Sequence, residues 1–259
     1  MTFKYLLVGA LLVFTGCDST IEAPPMSTPI PQAYPDYPDV PPDSQPTLPH
    51  DPPSYSFNVI EYQKVRNAGV VNGSSILGDI ESHMPQSHIY RSSDIVTWAH
   101  ETTHGLNSNI RNKHGGTGRV NAFYILNNKA VVMQEPNYTL RQLASAVPSN
   151  LRGMSYRLYL VQQQQYWNNE PLYVFDEATA YLNGAKVGFE VGHKVESELL
   201  QAFEMIGYAL VLAEQTKSKE IGDFAHYLYK EAHALKQKWG PSSKIDAHVS
   251  KLATAFDLK

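Results

Sequence analysis

The sequence predicts an α+β fold, mainly helical, with a small β-sheet. Three observations carry this. Apolar residues recur at helical spacing in several long segments of the C-terminal half. Two short apolar runs flank an Asn-Asn pair, the pattern of a hairpin. The composition, 42% hydrophobic and 18% charged over 259 residues, is that of a globular chain and excludes one that is disordered throughout. The net charge of −4 offers no basic face of the kind that nucleic-acid binding needs.

Residues 57–62 alternate apolar and polar side chains and read as a strand, and 88–91 as a second, shorter one. Ser92 or Ser93 can cap a helix that begins near Asp94 and runs through Leu106. Gly115, Gly116 and Gly118 then mark a loop. Residues 122–125 and 130–133, on either side of Asn127 and Asn128, form the expected hairpin. Ser149 or Asn150 can cap a helix over 151–167, and a further helix begins near Phe175. Residues 196–215, 220–239 and 246–256 read as three more. One domain over 54–259 is large enough to bury a core without a staple.

The N-terminal 53 residues are a different material. Lys4 is the only charge before Asp18, and residues 5–14 form an apolar run interrupted only by Gly9. That run is too short for a bilayer span, which takes about 20 residues, and has the length of a signal-peptide core. Phe14-Thr15-Gly16-Cys17 ends it and resembles the bacterial lipobox, with Phe14 in place of the usual Leu. Residues 1–17 thus read as a lipoprotein signal peptide and lipobox, and the resemblance implies cleavage before Cys17, lipid on that cysteine as the new N-terminus, and a protein anchored to a membrane of the cell envelope. Cys17 is the only cysteine, so an intramolecular disulfide is excluded. Residues 18–53 hold 12 of the 17 prolines and six acids with no Lys or Arg, the composition of an extended, disordered tether. What remains, 54–259, is close to neutral.

His100-Glu101-Thr102-Thr103-His104 is an H-E-x-x-H pattern. On a helix, positions i and i+4 lie about 40° apart around the axis and one turn apart along it. Both imidazoles can therefore reach one zinc ion at about 2.0–2.1 Å, with Glu101 on the adjacent flank, placed to take a proton from a water that the metal acidifies. The flanking positions 98, 99, 102, 103 and 105 are uncharged, as befits a helix that buries two ligands.

This stretch resembles the zinc-binding signature of the zincin metallopeptidases. The resemblance implies a zincin-like domain over 54–259, peptide-bond hydrolysis of a protein or peptide substrate, and a third protein ligand. The metzincin pattern would need Gly and His where Asn107 and Ile110 stand. The aspzincin pattern needs an Asp soon after Gly-Thr, yet Gly116-Thr117 is followed by Gly118, Arg119, Val120 and Asn121. The gluzincin pattern, a Glu on a second helix with a small residue three positions on, is met by Glu177 and Ala180, with Asp176 and Glu135 as rival ligands. The Asp176-Glu177 pair is also similar to that of lethal-factor-like zincins and their Pro-Pro endopeptidase relatives.

On this resemblance Glu101 is the general base, and Tyr173 or Tyr181 supplies a second donor to the oxyanion. Asp176 is expected to orient either His100 or His104 through its other ring nitrogen. A rival reading of the same chain is a non-catalytic, zincin-fold surface lipoprotein that binds a partner or a cell-wall component.

Overall fold

The computed structural model describes residues 56–258 apart from 116–118, all within the compact unit Asp51–Lys259. The expectations for the signal segment, Cys17, the tether, Gly116 and Gly118 lie outside the described residues.

A three-stranded antiparallel sheet has the order β1 (Asn58–Glu61), β3 (Lys129–Gln134), β2 (Val120–Tyr124). The helices are α1 (Ser75–His83), α2 (Ile95–His114), α3 (Leu140–Ala146), α4 (Gln164–Trp167), α5 (Tyr173–Glu190), α6 (Glu196–Thr216), α7 (Lys219–Trp239) and α8 (Ser243–Phe256). The mainly helical α+β expectation holds. Among the described residues no helix is long and apolar enough to cross a membrane.

The hairpin β2–β3 sets Phe123 opposite Val131 and Tyr124 opposite Ala130. Its turn uses left-handed backbone at Leu126, Asn127 and Asn128, which Asn tolerates better than most residues. Alternation along the strands serves two cores. Phe123, Val131 and Met133 pack with α5, α6 and α7, whereas Ala122, Tyr124 and Ala130 pack with α1 and α2. β2 and β3 are thus covered on both faces and read as apolar runs, whereas β1 is mostly exposed.

α5 is buried nearly all round from Tyr173 to Gly188, as expected of a helix with apolar residues on every side. It lies between α2 and α6, and α7 and α8 pack on α6. Close approach of α5 to its neighbours depends on glycine. A Cβ on Gly184 would stand 2.4 Å from Glu198 Oε1 and 3.2 Å from the Val96 carbonyl oxygen. Side-chain caps start most of the other helices, though not α6, which follows Val195. Ser74, Asp94, Ser218 and Ser242 each accept a backbone N–H of the first turn, and Thr139 forms a capping box with Gln142.

Three expectations are corrected. Residues 88–91 are not a strand. Among the described residues no strand lies alongside them; His88 closes a turn on Pro85, and Arg91 pairs with the buried Glu81. The cap of α2 is Asp94, whose Oδ1 accepts Val96 N–H at 3.1 Å, while Ser92 Oγ accepts the N–H of Asp94 itself. The single helix over 151–167 is broken. A 3-10 turn (Ser149–Leu151) leads to a π-helical segment (Tyr156–Gln162) and then the short α4. The break falls at Gly153, where the buried Glu204 of α6 reaches in and accepts the N–H groups of Met154 and Ser155 at 3.2 and 2.8 Å. A Cβ at residue 153 would overlap that carboxylate.

Candidate metal centre

α2 and α5 face each other, and the contact brings His100, His104 and Glu177 together. One ligand atom from each lies within 4.8 Å of the other two. The two Nε2 atoms are 3.0 Å apart. Glu177 Oε2 stands 3.6 Å from His104 Nε2 and 3.9 Å from His100 Nε2. Three ligands at zinc distance and tetrahedral angles would be about 3.3 Å apart, so these separations bracket the spacing of a metal site.

Each imidazole is held from behind. His104 Nδ1 bonds Asp176 Oδ2 at 3.0 Å, and His100 Nδ1 bonds Glu198 Oε1 of α6 at 2.9 Å. A carboxylate at Nδ1 favours the tautomer with hydrogen there, which turns the Nε2 lone pair inward. Two lone pairs at 3.0 Å repel unless a cation or a proton stands between them. Glu177 adds a third acceptor. Its Oε1 accepts the Tyr173 hydroxyl, while its buried Oε2 has no hydrogen-bond partner among the described residues. An orphaned carboxylate oxygen facing two inward lone pairs fits a bound cation, because a buried acceptor without a donor is otherwise costly.

The electrostatics agree. Burial pushes the His100 imidazole down to about 4. Burial works the same way on His104, yet the carboxylates of Asp176 and Glu177 overcome it and lift His104 to about 10. Burial raises Glu177 and Glu198. Asp176 is lowered: burial opposes this, but the His104 charge prevails. Three acids and two imidazoles thus share one water-poor spot, and a divalent cation would offset much of the negative charge there.

Glu101 is half-buried on the flank of α2, near enough for its charge to act on both histidines and on Tyr90 and Tyr181. Of the two oxyanion candidates, Tyr173 is bonded to Glu177, and Tyr181 lies with its ring edge-on to His100, centroids 4.4 Å apart. The Tyr181 hydroxyl donates to Gln201 Oε1 at 2.9 Å and takes a bond from Tyr159 at 2.6 Å. Asp176 bonds His104 Nδ1, and Glu177 is the acid grouped with the two histidines, which places Asp176 behind the candidate triad. Glu135 lies elsewhere, with Oε1 on Asn121 and Oε2 on the Leu172 N–H.

Sequence reasoning missed Glu198, Asn107 and Tyr159. Glu198 reads as a first-turn acid of α6, which the helix dipole favours anyway. Tyr159 lies in the π-helical segment, where helical spacing no longer tells which way a side chain points. Asn107, a fully buried amide one turn past His104, was the one with a local signal.

No protein-family model, curated protein or solved structure matches the chain.

Proposed function

We propose that the chain is a zinc-dependent peptidase of the zincin type, anchored to a bacterial membrane through lipid on Cys17. The observation that carries the metal is the unpartnered Glu177 Oε2 facing the two Nε2 atoms. His100, His104 and Glu177 would hold zinc and leave a fourth position open, as catalytic sites do. Bound zinc supplies Lewis-acid polarisation of a carbonyl and acidifies a water. Glu101, half-buried on the flank of α2, would serve as the general base and then as the proton donor to the departing amine. Asp176 and Glu198 keep the two imidazoles turned inward, and Tyr173 keeps Glu177 in place.

The test is hydrolysis of a peptide library by the full chain. Chelator-sensitive cleavage that vanishes in Glu101→Gln, with zinc still bound, is the expected result. An active Glu101→Gln protein overturns the assignment of the base. One observation favours the non-catalytic reading: the hydroxyls of Tyr173 and Tyr181 are both engaged with protein acceptors. Zinc binding with no cleavage of any library would favour that reading.

A further inference from the structure

Asn107 has no part in the reaction above, yet its side chain is fully buried and uses both ends of its amide. Oδ1 accepts the backbone N–H of Tyr124 at 2.7 Å, on β2. Nδ2 donates to Asp176 Oδ1 at 2.6 Å and lies 3.1 Å from Thr179 Oγ1. Asp176 presents its other oxygen to His104 Nδ1. Among the described residues, Asn107 is the only side chain besides His104 that bonds the Asp176 carboxylate. The result is an unbroken path from the sheet backbone through Asn107 and Asp176 to a candidate metal ligand.

The residue type is set by this double role. Leucine would leave the Tyr124 N–H and Asp176 Oδ1 unpaired in the interior. Aspartate would set one carboxylate against another. Glutamine is a methylene longer, and in a fully buried position its amide would overshoot both partners. A carboxylate bonded at one oxygen can no longer turn about its terminal torsion, so the direction of the other oxygen is fixed as well.

We propose that Asn107 is a positioning residue of the metal centre. It anchors Asp176 from the sheet side and, through Asp176, holds the His104 ring with Nε2 facing His100 and Glu177. This rests on the metal-site reading under Proposed function.

The experiment measures zinc affinity of the full chain by competition with a chromophoric chelator, for the wild type, Asn107→Ala, Asn107→Asp, Asp176→Ala and the Asn107→Ala/Asp176→Ala double variant. Removing a group that holds a ligand in place costs about 10- to 100-fold in metal affinity. Asn107→Ala is expected to lose about 10-fold. Asp176→Ala should lose as much or more, and the double variant no more than Asp176→Ala alone, because Asn107 acts through Asp176. Asn107→Asp keeps the acceptor for Tyr124 and is expected to bind zinc at least as weakly as Asn107→Ala. Cobalt substitution gives a second readout: the visible bands should shift in Asn107→Ala, which a loss of overall stability alone does not cause.

Unchanged affinity and cobalt spectra in both Asn107 variants, whatever their melting temperatures, overturn the proposal. So do additive losses in the double variant, or failure of both Asn107 variants to fold by circular dichroism, which would make Asn107 a residue of the fold alone. A wild-type chain that takes up no zinc overturns the metal site itself and is recognised before any variant is compared.

Discussion

Glu177 divides its labour between its two oxygens: Oε1 is tied to Tyr173, and Oε2 faces the imidazoles. Glu177→Ala removes one of three ligands, and zinc content measured by plasma mass spectrometry should fall from about one per chain to a small fraction of that. Tyr173→Phe keeps the ring, which stacks on Trp167 at 4.4 Å, and removes the hydroxyl that bonds Glu177 and lies 3.4 Å from Gln163 Oε1. Metal affinity should then fall by about tenfold with the fold intact, read by the same chelator competition and by circular dichroism. The candidate pair His100 and His104 was legible in the sequence because its geometry is local. Four residues of helix bring His100 beside His104, and small residues around Glu177 mark a helix that can approach closely. Glu198 was not legible, because its meeting with His100 depends on α6 lying against α5, a tertiary fact that no local pattern encodes.

At the scale of elements, the packing of α2, α5 and α6 turns on Gly184. Any side chain there meets Glu198 and the Val96 carbonyl. Gly184→Ala should therefore cost stability, about 1–3 kcal/mol as overpacking does, and weaken metal binding by displacing Glu198 from His100. Thermal melting and zinc affinity read the two effects separately, and a variant with wild-type values in both would refute this account. The long helices α6, α7 and α8 were legible from their apolar spacing. The region 151–167 was not. Its residues alternate as a helix should, but Glu204 of α6 captures the N–H groups after Gly153, and the backbone restarts with wider turns. Residues 88–91 failed for the complementary reason: strand-like side chains need a neighbouring strand, and none is present among the described residues.

At the scale of the whole molecule, the candidate centre joins α2 to α5 directly and to α6 through Glu198. A ligand that binds only the folded chain stabilises it by about 4 kcal/mol at a thousandfold excess over its Kd. Removal of zinc by a chelator should then lower the melting temperature by on the order of 10 °C. A second prediction concerns Glu135, whose carboxyl burial pushes up to about 7. Between its ordinary value near 4.5 and about 7, the folded chain holds a proton that the unfolded chain has released. This contribution to stability is full at the acid end and is lost as pH rises through about 7. Denaturant titrations of wild type and Glu135→Gln across that range should show a decline with pH that the variant lacks. Equal slopes would contradict it.

The asparagines around β2 carry a consequence for how copies of this chain can associate. The Tyr124 N–H is taken by Asn107, its carbonyl by Asn183 at 3.3 Å, and the Ala122 N–H by Asn121 at 3.0 Å. All three amides are buried, so the β2 side of the sheet has no row of vacant backbone groups to offer a stranger. On the opposite side, β1 is mostly exposed and, among the described residues, pairs only with β3. A linear filament built by strand addition needs two receptive edges on every copy. A sheet with one such edge can join another edge to edge and then has nowhere further to grow, so polymerisation through it ends at a pair.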